Sequence, residues 1–252
     1  MTGSSEAIWG TCLRQRPRAA LRLFCFPYAG AGAGIFRPWL EHLPETIELW
    51  PVHLPGRERR IADEPIANIG QLARAVAGGL GELLKGRFAF FGHSMGALLS
   101  FELTRLLRQR ELEGPLCLAI SGMGAPQIPS IRPPVAHLPD SDFIAEVRRL
   151  NGPAAAASLD HSELVELLLP ALRADFTAVE TYSIADEAPL SCPIVANGGL
   201  NDPHVPREHL EGWGVHTSNE FAIRLFEGDH FYLHSQCREL TAILSRDLLS
   251  FS

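Results

Sequence analysis

The pentapeptide Gly92-His93-Ser94-Met95-Gly96 stands between the aromatic run Phe88-Ala89-Phe90-Phe91 and a stretch in which Ala97, Leu98, Leu99, Phe101 and Leu103 repeat at helical spacing. No other part of the chain constrains its folding as strongly. A short, continuous apolar run forms a buried strand, and the following periodicity covers one face of a helix. A serine with glycines at minus two and plus two, between a strand and a helix, is the nucleophile-elbow pattern. A turn this tight forces Ser94 into a strained backbone and leaves no room for side chains at Gly92 or Gly96. It lifts the Ser94 hydroxyl clear of the sheet. The Met95 amide is left at the start of a helix, where it can donate to a developing oxyanion.

Around this junction the pattern repeats. Strand-like apolar runs lie at 21–26, 47–53, 87–91, 116–121, 194–197 and 221–226, and helical patterns at 36–43, 69–84, 95–109 and about 233–249. Alternation of this kind, with near-continuous apolar strands, predicts an α/β fold: a mostly parallel, doubly wound sheet covered on both faces. With 252 residues, 46 % of them hydrophobic, the chain is expected to form a single domain over residues 1–252. A net charge of -7 gives no basic face for nucleic acid. Met1-Thr2-Gly3-Ser4-Ser5-Glu6 lacks the pattern of a signal peptide, and no apolar run is long enough to span a bilayer. Cys12, Cys25, Cys117, Cys192 and Cys237 are odd in number, scattered and free of C-x-x-C spacing. Cys25, Cys117 and Cys192 lie in or beside strand-like runs, where cysteine acts as a small hydrophobe. These features predict a cytoplasmic protein with reduced thiols, no metal site and no membrane contact.

The alternation breaks once, between Ser121 and Ile194. Phe143, Ile144, Val147 and Leu150 mark one helix, Asp160 and Glu163 resemble a capping box opening a second, and Pro170 ends or kinks it. Leu172, Phe176 and Val179 mark a third. Gly152-Pro153 and the alanines at 154–157 read as a mobile connection. A helical insertion over about 123–190, above the carboxyl ends of the strands, is expected to serve as a lid. Phe143, Ile144, Val147, Leu172 and Phe176 are expected to pack around the space beneath it.

A serine hydroxyl needs a base to take its proton and a third group to hold that base. In doubly wound hydrolases these follow in the order Ser, Asp/Glu, His, each at the carboxyl end of a strand. Asp202, directly after the run 194–197, and His230, directly after 221–226, meet both conditions. The His93 ring points away from the Ser94 hydroxyl, His204 and His209 precede the last strand, and His234 lies a turn into the final helix. The loop Phe26-Pro27-Tyr28-Ala29-Gly30-Ala31-Gly32-Ala33-Gly34 should supply a second oxyanion donor, the Ala29 amide beside that of Met95. Its glycines miss the dinucleotide spacing G-x-G-x-x-G, which would need glycine at Ile35.

Together, Phe26-Pro27-Tyr28-Ala29-Gly30, Leu54-Pro55-Gly56-Arg57-Glu58, Gly92-His93-Ser94-Met95-Gly96-Ala97, Arg173-Ala174-Asp175-Phe176 and Gly228-Asp229-His230-Phe231-Tyr232 resemble the type II thioesterases of polyketide and nonribosomal peptide synthesis, of the α/β-hydrolase superfamily. The motifs stand in that family's order over about 21–233. Ala31, where the family commonly has glycine, is a mild departure. The resemblance implies hydrolysis of acyl thioesters held on the phosphopantetheine arm of acyl or peptidyl carrier proteins, clearing stalled or aberrant groups from a synthase. No cofactor of the enzyme's own is implied. A general esterase or lipase, a product-releasing cyclising thioesterase and an acyltransferase share the fold. The polar start without a linker favours a stand-alone enzyme, and three placed triad residues argue against a non-enzymatic binding module. Arg57, Arg59 and Arg60 either meet an acidic carrier protein or form a solvated loop in which Arg57 bonds structurally; the second is favoured, since charge runs are usually solvated faces.

Overall fold

A computed structural model describes residues 8–156 and 162–251. Strand β1 (Leu21–Phe26) lies inside the sheet, flanked by β2 (Ile47–Pro51) on one side and β3 (Phe88–His93) on the other. Beyond β3 follow β4 (Leu118–Ser121), β5 (Ile194–Gly199) and β6 (Phe221–Phe226), every pair parallel. After β1 the chain steps outward to β2, then crosses back to β3 and builds in the opposite direction. That reversal opens a crevice at the carboxyl ends of β1 and β3.

Alternate side chains of each strand feed two apolar layers. Phe24, Phe26, Phe88, Phe90, Leu118 and Ile120 pack beneath α1 (Ile69–Leu80) and α2 (Met95–Gln109). Leu21, Leu23, Phe91, Ala119 and Val195 pack on the other face against Phe36, Trp39, Leu240, Leu244 and Leu248. Sheets of this parallel kind are buried on both faces, which explains why the strands read as continuous apolar runs.

Among the described residues between β4 and β5 there are two α-helices, α3 (Asp140–Ala156) and α4 (Ser162–Glu180), where the sequence predicts three. Pro170 lies inside α4 and does not divide it. A proline there forfeits one backbone hydrogen bond. Burial of Ala171, Leu172, Phe176 and Ala178, with side-chain bonds from Arg173, Asp175 and Glu180, holds the stretch that follows it in the same helix. Nor do Gly152-Pro153 and the first alanines form an irregular connection: α3 runs through them to Ala156, as expected of alanine, the best helix former. Ala157 and Asp160 lie outside the described residues. Phe143, Val147, Leu172 and Phe176 join Val135 and Val165 in a small apolar core of the insertion's own, with Ile144 packed against it.

Further α-helices among the described residues are α5 (Arg207–Glu211), α6 (Tyr232–Ser235) and α7 (Cys237–Ser250). The predicted C-terminal helix is thus two, broken at Gln236. The predicted segment 36–43 is a 3₁₀ helix over Ala33–Glu41. No helix of the described residues is long and apolar enough to cross a membrane.

Candidate active site

Register places the functional loops along one edge of the sheet. Phe26 pairs with Gly92, His93 with Ser121, and Gly199 with Phe226. The chain therefore leaves β1, β3, β4, β5 and β6 into the same crevice.

Ser94 sits between β3 and α2 with φ 53°, ψ -117°, a left-handed conformation unusual outside glycine. Holding a non-glycine residue there costs about 1–3 kcal/mol, supplied by the surrounding structure. The Ser94 amide donates to the Ser121 carbonyl (2.7 Å), and the Ser94 carbonyl accepts from Ala97 (2.9 Å). A methyl at Gly92 would overlap the Gly96 carbonyl, and one at Gly96 the Phe26 carbonyl. Both glycines are thus required by close backbone approach. Met95, buried, opens α2, so its amide has no intrahelical acceptor.

His230 follows β6 and Asp202 follows β5. Their loops are stitched together: Leu200 donates to the Phe226 carbonyl (2.8 Å) and Asn201 to the Gly228 carbonyl (2.9 Å). The His230 Nδ1–H donates to Asp202 Oδ2 at 2.6 Å, and the His204 amide donates to Asp202 Oδ1 at 2.9 Å. Burial by itself would raise the Asp202 carboxyl. The bond from His230, the charge of that ring and the His204 amide outweigh it and hold the group below its ordinary value. Asp202 is thus an anion that fixes the orientation of the His230 ring.

His93 is fully buried. Its Nδ1 bonds the Ser121 hydroxyl (2.7 Å), which bonds the Tyr232 hydroxyl (2.5 Å). Burial, then the neighbouring His230 and His234, hold this ring well below the ordinary histidine value. A neutral His93 packs its ring 5.1 Å from that of His230 without repelling a positive charge there.

Tyr28, Ala29, Ser94 and His230 line one cavity of about 430 Å³. Its far wall is Leu98, Met123, Ile128, Phe176, Val179, Tyr182 and Val205, with Arg132 and Glu180 as its charged members. Of the five insertion residues named from the sequence, Phe176 lines this space directly. Most of the remaining wall is the stretch from Gly122 to Pro134, which sequence reasoning missed. Its signal is available in hindsight: four prolines and two glycines directly after a strand that ends beside the elbow. A more open depression of about 830 Å³ lies at the opposite, amino ends of β4 and β5, away from Ser94.

The arginine cluster divides. Arg57 is buried and bonds Asp175, the Ala31 carbonyl and the Pro55 carbonyl. Arg60 is also buried, bonded to Asp63 and the His53 carbonyl and stacked 3.7 Å over the Trp9 ring. Arg59 is exposed and bonds Thr11. Among the described residues no cluster of histidine, cysteine and acidic side chains could hold a metal ion.

Residues 21–248 match the family model described as Thioesterase domain. The gramicidin S biosynthesis protein GrsT of Aneurinibacillus migulanus is 44 % identical over 230 residues, spanning 91 % of this chain and 90 % of that protein. A protein of Brevibacillus parabrevis named linear gramicidin dehydrogenase LgrE is 40 % identical over 252 residues, 99 % and 96 % of the two chains. Among solved structures, YbtT, a type II thioesterase from the yersiniabactin NRPS/PKS biosynthetic pathway, superimposes with a TM-score of 0.86 at 33 % identity, covering 96 % of this chain and 99 % of that one. Fold, motif order and these likenesses agree: the chain belongs to the thioesterase family, and its near neighbours are type II thioesterases of the α/β-hydrolase fold.

Proposed function

We propose that this protein hydrolyses acyl thioesters carried on the phosphopantetheine arm of acyl or peptidyl carrier proteins, freeing a synthase of stalled or aberrant groups. The observation that carries the chemistry is the cavity shared by Ser94 and His230, with an anionic Asp202 2.6 Å behind the imidazole. The carrier-protein substrate is supported by the relatives, whose names place them in gramicidin S and yersiniabactin biosynthesis.

In this reading His230 takes the Ser94 proton as Oγ attacks the thioester carbonyl, and Asp202 stabilises the imidazolium. The Met95 and Ala29 amides face the oxyanion, each worth about 3 kcal/mol in comparable chemistry. The carbon–sulfur bond breaks, the pantetheine sulfur takes the proton from His230, and a water activated by the same imidazole hydrolyses the Ser94 ester. No cofactor takes part.

The name of LgrE raises a dehydrogenase as a second reading. The glycine loop argues against it. A dinucleotide pyrophosphate needs free loop amides at a helix start. Here the Gly30 amide donates to the Asp175 carboxylate (2.8 Å), and those of Ala33 and Gly34 to the Glu58 carboxylate (3.0 and 2.9 Å). An incoming phosphate would meet two carboxylates.

The test is a rate comparison among an acylated carrier protein, the matching soluble pantetheine thioester and the corresponding oxygen ester. A thioester carbonyl is less resonance-stabilised than that of an ester. The carrier-bound thioester should turn over fastest and the oxygen ester far slowest. Equal or better turnover of the oxygen ester would make the protein a general esterase.

A further inference from the structure

Three stretches far apart in the chain meet at one buried knot beside the proposed oxyanion site. Asp175, on α4, is 1 % exposed and Arg57 4 %. They pair through two bonds, Nη1 to Oδ2 at 2.5 Å and Nη2 to Oδ1 at 2.8 Å, across 118 positions of sequence. The same Oδ2 accepts the Gly30 amide at 2.8 Å. Arg57 Nη1 also donates to the Ala31 carbonyl at 3.3 Å, and its Nε to the Pro55 carbonyl at 3.2 Å.

Residues 28–31 form a turn closed by the Ala31 amide on the Tyr28 carbonyl (3.0 Å), with Gly30 left-handed at φ 78°. This is the arrangement in which the third residue must be glycine. Ala29 is its second residue and faces the cavity with Ser94. The peptide after Ala29 is gripped by its N–H, which points at Asp175. The carbonyl of Ala31 is gripped by Arg57. Peptide planes are rigid, so only the two torsions of Ala29 separate the gripped plane from the one that carries the Ala29 amide. Leu172, one helical turn before Asp175, fills the space a side chain at Gly30 would occupy.

We propose that Arg57 and Asp175 are positioning residues for the oxyanion loop. Asp175 reaches the turn from the helical insertion and Arg57 from the loop after β2, so that α4 must be seated for the Ala29 amide to be held on target. This rests on the function proposed above. The bidentate pair sets the carboxylate's orientation, and the carboxylate in turn sets the Gly30 amide. A donor displaced by a fraction of an ångström loses most of its value to a transition state while substrate still binds.

The experiment compares wild type with Asp175→Asn, Asp175→Ala and Arg57→Lys, each first checked for native circular dichroism and cooperative melting. Three quantities are read: kcat and KM for a carrier-bound thioester, the affinity of a trifluoromethyl ketone analogue, whose adduct with serine places an oxyanion in the site, and the affinity of a non-hydrolysable thioether analogue. In Asp175→Ala, kcat and the ketone affinity should fall together by about 100-fold, the loss typical of one oxyanion donor, with KM and thioether affinity within about twofold. Asp175→Asn keeps an acceptor for Gly30 and should fall less, as should Arg57→Lys. The pH dependence of kcat/KM should not move, since Asp202 and His230 are untouched. Unchanged kcat in the folded variants overturns the inference, as does an equal loss of ketone and thioether affinity, which marks a merely structural role. If Asp175→Ala does not fold, Asp175→Asn and Arg57→Lys decide by the same readouts. Ser94→Ala separates this result from the underlying reading: activity retained there removes the serine mechanism, whereas activity lost there and intact in the Asp175 variants removes only the positioning role.

Discussion

At the scale of single residues, two side chains on loops around the site, Ser94 and Glu58, stand in left-handed backbone. Ser94 owes its conformation to the elbow. Glu58 (φ 49°) holds a carboxylate over the Ala33 and Gly34 amides at the start of the 3₁₀ segment, with His53 Nδ1 3.4 Å away. The contact with His53, then the two amides, lower the Glu58 carboxyl from 4.5 to about 2 against the opposing effect of burial. A carboxylate depressed in the fold stabilises it fully above its unfolded value and loses that contribution as pH falls toward the folded one. Glu58→Gln should therefore lower stability at pH 7, and its deficit against wild type should shrink between about pH 4.5 and 2. The side chain is 37 % exposed, so solvent screening limits the loss to about 1 kcal/mol. Thermal melts of both proteins across that range check it; a deficit independent of pH would show that charge plays no part. For the proposed triad, His230→Ala should cost several orders of magnitude in kcat with the melting temperature little changed. Asp202→Asn should be similarly severe, because an amide favours the wrong imidazole tautomer. Near-normal turnover in either folded variant would reassign the base.

Among the elements, the insertion differs from the sheet it covers. Its apolar core is small and its own, with Phe143, Val147, Leu172 and Phe176 at the centre. Segments with few long-range contacts open at low free energy. Amides over about 143–182 should exchange hydrogen faster than those of β3 and β4, and an acylated carrier protein should slow them. Within that stretch the end of α4 should be the slowest. Arg173 donates to the Leu138 carbonyl, Asp175 pairs with Arg57, and Glu180 accepts the Val135 and Ala136 amides. Exchange mass spectrometry resolves these segments. An insertion that exchanges like the core strands and ignores the carrier protein is a rigid wall, and gating by it would be ruled out.

For the whole molecule, the two apolar layers decide the chemistry of its thiols. All five cysteines are free. Cys25 and Cys117 are buried, and burial raises both thiols; burial likewise pushes Cys192 up to about 11. A thiol held protonated and covered does not react. A disulfide reagent at pH 8 should modify Cys12 and Cys237 in the native protein and reach Cys25 and Cys117 only on unfolding, and reductant should leave the melting temperature unchanged. Rapid native labelling of all five would mean that the sheet opens far more readily than its packing implies. At this scale the part of the amino-acid sequence that could be read in advance was whatever depends on near neighbours. Apolar periodicity fixed the strands and their parallel sense. The glycine spacing around Ser94 fixed the elbow, and strand-end placement put Asp202 and His230 on loops that the fold brings within 2.6 Å of each other. Tertiary structure alone decided the rest. It joined Arg57 to Asp175, carried α4 through Pro170, and built the cavity wall from the irregular stretch after β4. Each of these turns on contacts between residues distant in sequence, whose worth is set by burial in the assembled fold; the prolines and glycines of 122–134 mark that stretch as irregular without saying which cavity it walls.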